Sequence, residues 1–74
     1  DADLTGADLY SAALVNANCT GATLTNANLT FVGLTGATLT GANLTGANLT
    51  RADLDGVIWS DTTCPNGTVT STGC

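Results

Sequence analysis

Histidine, methionine, lysine and glutamate are absent from this chain of 74 residues, and Arg51 is its only basic side chain. Without histidine no Ser-His-Asp set can form, and the acids Asp1, Asp3, Asp8, Asp53, Asp55 and Asp61 are dispersed rather than paired in a cleft. Enzymatic activity is therefore not expected. Cys19, Cys64 and Cys74 show no Cys-x-x-Cys spacing, so neither a metal site nor any other cofactor is expected. A net charge of −5 disfavours nucleic-acid binding through phosphate neutralisation and is read as solubility through self-repulsion, with an acidic recognition surface as the alternative. No apolar run approaches the ~18 residues of a membrane span. The chain opens at Asp1 without a charged-then-apolar leader, which reads as a mature form, an excised domain or a portion of something longer. One small domain of this size cannot bury a large conventional core, so a repeat, a staple or a partner has to help.

What is present is repetition. GANLTGANLT, from Gly41 to Thr50, is one five-residue phrase written twice. On a helix, steps of about 100° per residue would carry a Leu at every fifth position around the surface. In a flat strand an odd step flips successive Leu residues to opposite faces. Only a turn within each repeat keeps all of them inside, so the chain must wind as a solenoid. Leu stands at positions 4, 9, 14, 24, 29, 34, 39, 44, 49 and 54, with Cys19 the one replacement in that span. Two residues before each stands Ala, from Ala2 to Ala52, with Val32 the one exception.

This run of Ala-(Asp/Asn)-Leu-x-x phrases, from Ala2 to about Asp61, resembles the pentapeptide-repeat family. The resemblance implies an all-β fold, a right-handed quadrilateral β-helix of about three coils in which four repeats make one coil. The expected division is a β-helix over residues 1–61 and a C-terminal cap and tail over 62–74. Coils near ~4.8 Å apart would stack Leu4 on Leu24 and Leu44, Leu9 on Leu29 and Leu49, Leu14 on Leu34 and Leu54, and Cys19 on Leu39 and Trp59. The bulky Trp59 is expected to cap the core, since solenoids need atypical terminal repeats. Beyond it, Cys64 and Cys74 are read as a disulfide closing a polar turn around Pro65-Asn66-Gly67. In that register Cys19 lies about two coil spacings from Cys64, beyond the ~7 Å that bridged Cα atoms tolerate, and is left as a buried free thiol. A disulfide implies an oxidising compartment: periplasm, thylakoid lumen or extracellular space. The stretch from Trp59 to Thr68 is also similar to the ending of exported bacterial and cyanobacterial members.

The outward positions offer candidate surfaces. Ser11, Phe31 and Arg51 are expected in one corner column with Tyr10 beside it, either as an interface patch or as Arg51 stacked on the Phe31 ring. At the N-terminal end Leu4, Leu9 and Leu14 would lie beneath an open coil with free backbone groups, the hazard of any sheet edge, so that end is expected either to continue into further sequence or to dock on another copy. The resulting expectation is a non-catalytic structural or protein-interaction module, exported, with a protein partner. That partner is another copy, building an oligomer or filament, or a different subunit of a larger complex. The alternatives are ice binding through stacked Thr ladders, and an acidic mimic of DNA that inhibits a DNA-binding enzyme, for which six Asp are few.

Overall fold

Thr23 donates its N–H to the Ala2 carbonyl at 2.8 Å and accepts the Leu4 N–H at 2.7 Å. That pair of bonds is one parallel bridge, and it recurs in steps of twenty residues: Asp3 to Thr23 to Asn43 to Thr63, Asp8 to Asn28 to Asn48, Ala13 to Gly33 to Asp53, and Asn18 to Thr38 to Ile58. The computed structural model, which describes residues 2–74, is thus a β-helix with twenty residues to the coil. No helix forms among the described residues.

Between bridges the chain bends. Ala7 N–H closes on Leu4 C=O at 2.9 Å, Ala12 on Leu9 at 2.9 Å, Ala17 on Leu14 at 3.0 Å, and so on through the repeat. The residue just before each closing Ala has a positive φ, as the third position of a type II turn demands. The short closing residue fits the tight corner: where Val replaces Ala the bond lengthens, to 3.1 Å at Val32 and 3.3 Å at Val57. The requirement for a methyl-sized side chain in the motif is a consequence of this corner.

Where an Asx precedes the Leu, it has its own local task. Asn43 Oδ1 accepts both the N–H and the hydroxyl of Thr45, at 3.0 and 2.6 Å, across the intervening Leu44. Asp3 with Thr5, Asn18 with Thr20, Asn28 with Thr30 and Asn48 with Thr50 repeat the pattern. Each staple preforms the turn that the Leu enters, which explains why the phrase is Asn-Leu-Thr and not merely polar-Leu-polar.

The core is the stack of Leu and Ala inside the coil. Leu24, Leu29, Leu34 and Leu39 are at most 1% exposed, and Ala22, Ala27, Val32 and Ala37 at most 2%. Their counterparts one coil toward the N-terminus, Leu4, Leu9, Leu14 and Cys19, are only half-buried. Cys19 is therefore not the buried thiol its register suggested, because no described coil lies above it.

The bridge ladder runs past the last regular repeat. Thr63 pairs with Asn43, Thr62 occupies the Ala position, and Cys64 stands at the Leu position beneath Leu44. Thr62 is fully buried and donates its hydroxyl to the Leu39 carbonyl at 2.7 Å, so the polar substitute is satisfied inside the core. From here Thr62–Thr63 (β1) pairs antiparallel with Val69–Thr70 (β2), Thr62 opposite Thr70 and Thr63 opposite Val69. The tail then returns so that Cys74 bonds Cys64, with the Cα atoms 5.5 Å apart.

Candidate interaction surfaces

Three surfaces stand out. The first is the N-terminal edge. In the bridge pattern the residue before each Leu directs both its N–H and its C=O toward the preceding coil, as Thr23 does toward Ala2 and Leu4. On the N-terminal coil those residues are Asp3, Asp8, Ala13 and Asn18, and their backbone N–H and C=O groups find no partner among the described residues. Just below that rim sit the half-buried Leu4, Leu9, Leu14 and Cys19. Burial pushes the Cys19 thiol above its ordinary pKa, which keeps it protonated and a poor nucleophile.

The second surface is the corner column of Ser11, Phe31 and Arg51. All three adopt left-handed φ, at 59°, 60° and 57°, and this is the one corner without a glycine. For a ring as bulky as Phe the conformation costs on the order of 1–2 kcal/mol. Phe31 packs edge-on against Tyr10, ring centroids 5.7 Å apart at 73°. Both rings stay open to solvent, Tyr10 at 57% and Phe31 at 47%. The side chain of Arg51 makes no ion pair or ring contact among the described residues, so the aromatic partner of Phe31 is Tyr10 and not the guanidinium.

Reading the sequence by its repeat missed one flank of this corner. On the next face the Asx position holds Ala13 and then Gly33, so the polar staple is lost there, and Val15 lies 55% exposed beside Gly33. The signal was available as a missing Asx at two consecutive levels of the same column.

The third surface is the C-terminal end. A cleft of about 470 Å³ opens between Leu49 and the tail, walled by Pro65, Val69, Gly73 and the Cys64–Cys74 bridge. Trp59 is half-buried at the foot of the Cys19–Leu39 ladder, with Gly73 placed against its indole. Leu49 and Leu54 beside it are also half-buried. The place of Thr62 and Cys64 in the ladder could have been found by counting on in fives from Val57 and Trp59, but neither residue type matches the motif.

Several threonines of the repeat are engaged locally. The hydroxyls of Thr5, Thr20, Thr30, Thr45 and Thr50 all donate to the Asx two residues earlier. Between coils, Asn28 Nδ2 reaches Asp8 Oδ1 at 3.3 Å. No helix long and apolar enough to cross a membrane occurs among the described residues.

Comparison with known proteins agrees with this geometry. The chain is similar to HetL of the cyanobacterium Nostoc, a pentapeptide-repeat protein involved in heterocyst differentiation regulation, with 33% identity over 92% of this chain and a TM-score of 0.90. It is also similar to the pentapeptide-repeat protein Rfr23 of Cyanothece, at 47% identity over 74% of the chain and a TM-score of 0.74. A pentapeptide-repeat protein of the Arabidopsis thaliana thylakoid lumen aligns over 99% at 28% identity, TM-score 0.70. The chain spans only 32%, 37% and 54% of those three proteins. The search of curated proteins returns no significant match. The profile described as pentapeptide repeats matches residues 2–41 and 27–60 in eight copies, and the chain is a member of the pentapeptide-repeat family.

Proposed function

We propose that this chain is a non-catalytic structural or interaction solenoid of three coils, residues 1–61, closed by the tail at 62–74, whose surface binds protein and whose N-terminal edge takes a further coil, supplied by preceding repeats of the same chain, another copy or a different subunit. The observation that carries the reading is a contrast within one repeat. Leu24, Leu29, Leu34 and Leu39 are sealed from solvent, whereas Leu4, Leu9, Leu14 and Cys19 in the same ladders are half-exposed beneath a row of free backbone groups. Such an edge is a template for a further strand or coil. Preceding repeats of the same chain, a second copy, or a partner with a coil of the same kind would bury that apolar rim and satisfy its amides at once. The Tyr10, Phe31 and Arg51 corner extends the surface down one side.

The disulfide and the similarity to a thylakoid-lumen protein support residence in an oxidising compartment outside the cytosol. A regulatory role in HetL, a protein of the same fold, fits a binding surface better than a catalyst.

The test is the mass of residues 1–74 in solution by light scattering, alone and as Leu9→Asp. A defined assembly that the variant dissolves, while circular dichroism shows the coil intact, is the expected result. An assembly indifferent to Leu9→Asp would refute the use of this edge.

A further inference from the structure

We infer that two copies pair side by side through the face of Ala13, Gly33 and Asp53, in a closed two-fold dimer whose axis runs parallel to the solenoid, with Phe31 of each copy seated on Gly33 of the partner subunit. This rests on the protein-binding reading above and names a face and its occupant. The face lies on the flank of the solenoid, so coils added before the first or after the last would lengthen it without covering it.

Two features of this flank have no cause within the chain. Gly33 lies outside the positive-φ region, and an added Cβ would meet only Ala12 O at 3.9 Å and Val15 Cγ2 at 4.0 Å, so neither backbone nor space in its own coil demands glycine. A glycine of that kind inside a strand ladder marks close approach by another group. Phe31 holds a left-handed φ of 60° and is 47% exposed, so the strain at its corner is not offset by burial. A bulky ring and a bare backbone, two residues apart at one level, are a knob and a hole on one surface. Such a surface is complementary to itself, the condition for an isologous contact.

A two-fold axis parallel to the solenoid sets each coil level against the same level of the partner and exchanges left and right along the face. Placed beside Val32, it lays one column on the next at all three levels. Ser11 meets Ala13 of the partner subunit, Phe31 meets Gly33 of the partner subunit and Arg51 meets Asp53 of the partner subunit, each contact made twice. Tyr10, packed edge-on against Phe31, comes beside Val15 of the partner subunit. Tyr10 and Val15 are both more than half exposed in the single chain, so the pairing covers the apolar residues of this flank together.

Charge selects this arrangement. Arg51 is the only basic side chain in a chain of net charge −5, and it makes no ion pair among the described residues. Asp53 accepts the Asp55 N–H through one carboxylate oxygen at 3.2 Å, which leaves the other for a guanidinium. Moving the axis to the Gly33 column sets Asp53 against its own copy, and like charges directly opposite are destabilising. An axis perpendicular to the solenoid through Gly33 sets Arg51 against Val15 of the partner subunit and leaves the cation unpaired. The other three faces hold Asp, Asn or Thr in the corresponding positions of the first two coils and offer no such hole.

Charge reversal tests this, with masses read by light scattering and the fold by circular dichroism. Arg51→Asp sets acid against acid and Asp53→Arg sets base against base, twice per dimer. Each variant alone should raise the dissociation constant about tenfold and halve the mass at concentrations where the parent is just paired. Mixed in equal amounts, the two variants make both pairs complementary again, and the parent mass should return as a heterodimer. Gly33→Leu, for which its own coil has room, fills the seat of Phe31 and should also halve the mass, with no rescue by mixing. Charge variants that keep the parent mass, a mixture no heavier than its components, or a parent that is monomeric at every concentration would each overturn the side-by-side dimer. An assembly that Leu9→Asp dissolves and the charge variants leave intact would overturn this face and leave the use of the N-terminal edge standing.

Discussion

Residues 2–21 and residues 22–41 are written in nearly the same phrases, yet Leu29 is sealed from solvent and Leu9 is half-exposed. The backbone differs in the same way: Asn28 donates its N–H to Ala7 and accepts the Leu9 N–H, both in the preceding coil, while the equivalent groups of Asp8 are free among the described residues. Composition therefore does not set burial in a solenoid. A Leu is core only when a coil lies on both sides of it, and stability is built from interfaces between adjacent units. The same logic holds at the other end, where Leu49 and Leu54 are half-buried although the tail crosses part of the surface.

The strongest way to break this comparison is to truncate both leucines. Leu29→Ala empties a fully enclosed site and should cost about 2–5 kcal/mol of stability, the range for deeply buried Leu. Leu9→Ala, in the same ladder and the same phrase, should cost about 1 kcal/mol in the monomer, because much of that side chain already faces water. Urea unfolding of the two variants at low protein concentration measures both. Equal losses would mean that burial in the ladder does not depend on the coil above.

The ladders themselves were legible in the sequence because their cause is strictly periodic: a Leu every fifth residue has one geometrical solution. The Cys64–Cys74 pair was legible too, since the register left Cys19 out of reach. What escaped was aperiodic. Thr62 and Cys64 continue the ladder although neither resembles Ala or Leu, because a buried hydroxyl can bond the Leu39 carbonyl and a disulfide-bonded Cys can fill a Leu site. The ring partner of Phe31 was also hidden, since Tyr10 lies in the preceding coil and side-chain direction at a left-handed residue is not a property of spacing. The exposed Val15 flank depended on what Ala13 and Gly33 lack.

Glycine substitutions sharpen the contrast between corner and face. Gly46 sits at a corner with φ +71°, and an added Cβ would lie 2.2 Å from Asn26 Oδ1 one coil above. Gly46→Ala should therefore cost about 1–2 kcal/mol, part for the left-handed backbone and part for displacing that amide. Gly33 lies on a face, outside the positive-φ region, and a Cβ there meets only Ala12 O at 3.9 Å and Val15 Cγ2 at 4.0 Å. Gly33→Ala should be neutral or stabilising by about 0.5 kcal/mol, through the reduced freedom of the unfolded chain. Thermal melts of the two variants separate the cases, and a Gly46→Ala protein as stable as its parent would show that the corner is not what demands glycine.

The smallest effect concerns pH, and it again divides the N-terminal coil from the next. Asp3 precedes its Leu as Asn28 does on another face of the following coil, and each accepts the hydroxyl of the Thr two residues on. The hydroxyl and N–H of Thr5 pull the Asp3 carboxyl below its ordinary value of 3.8, against a weaker opposing effect of burial. A carboxyl depressed in the folded state contributes stability that is complete above its unfolded pKa and is lost as the pH falls through the lower folded value. The Asp3–Thr5 staple should therefore weaken only on acidification below 3.8, whereas the neutral Asn28–Thr30 staple has no such dependence. Thr5→Val removes the larger of the two bonds and keeps the backbone N–H, so the Asp3 pKa should move part of the way back up. Carboxyl NMR titration of the parent and the variant reads this directly. An unchanged Asp3 titration in Thr5→Val would mean that the hydroxyl does not hold the carboxylate, and the Thr of the repeat would then be acting through its backbone alone.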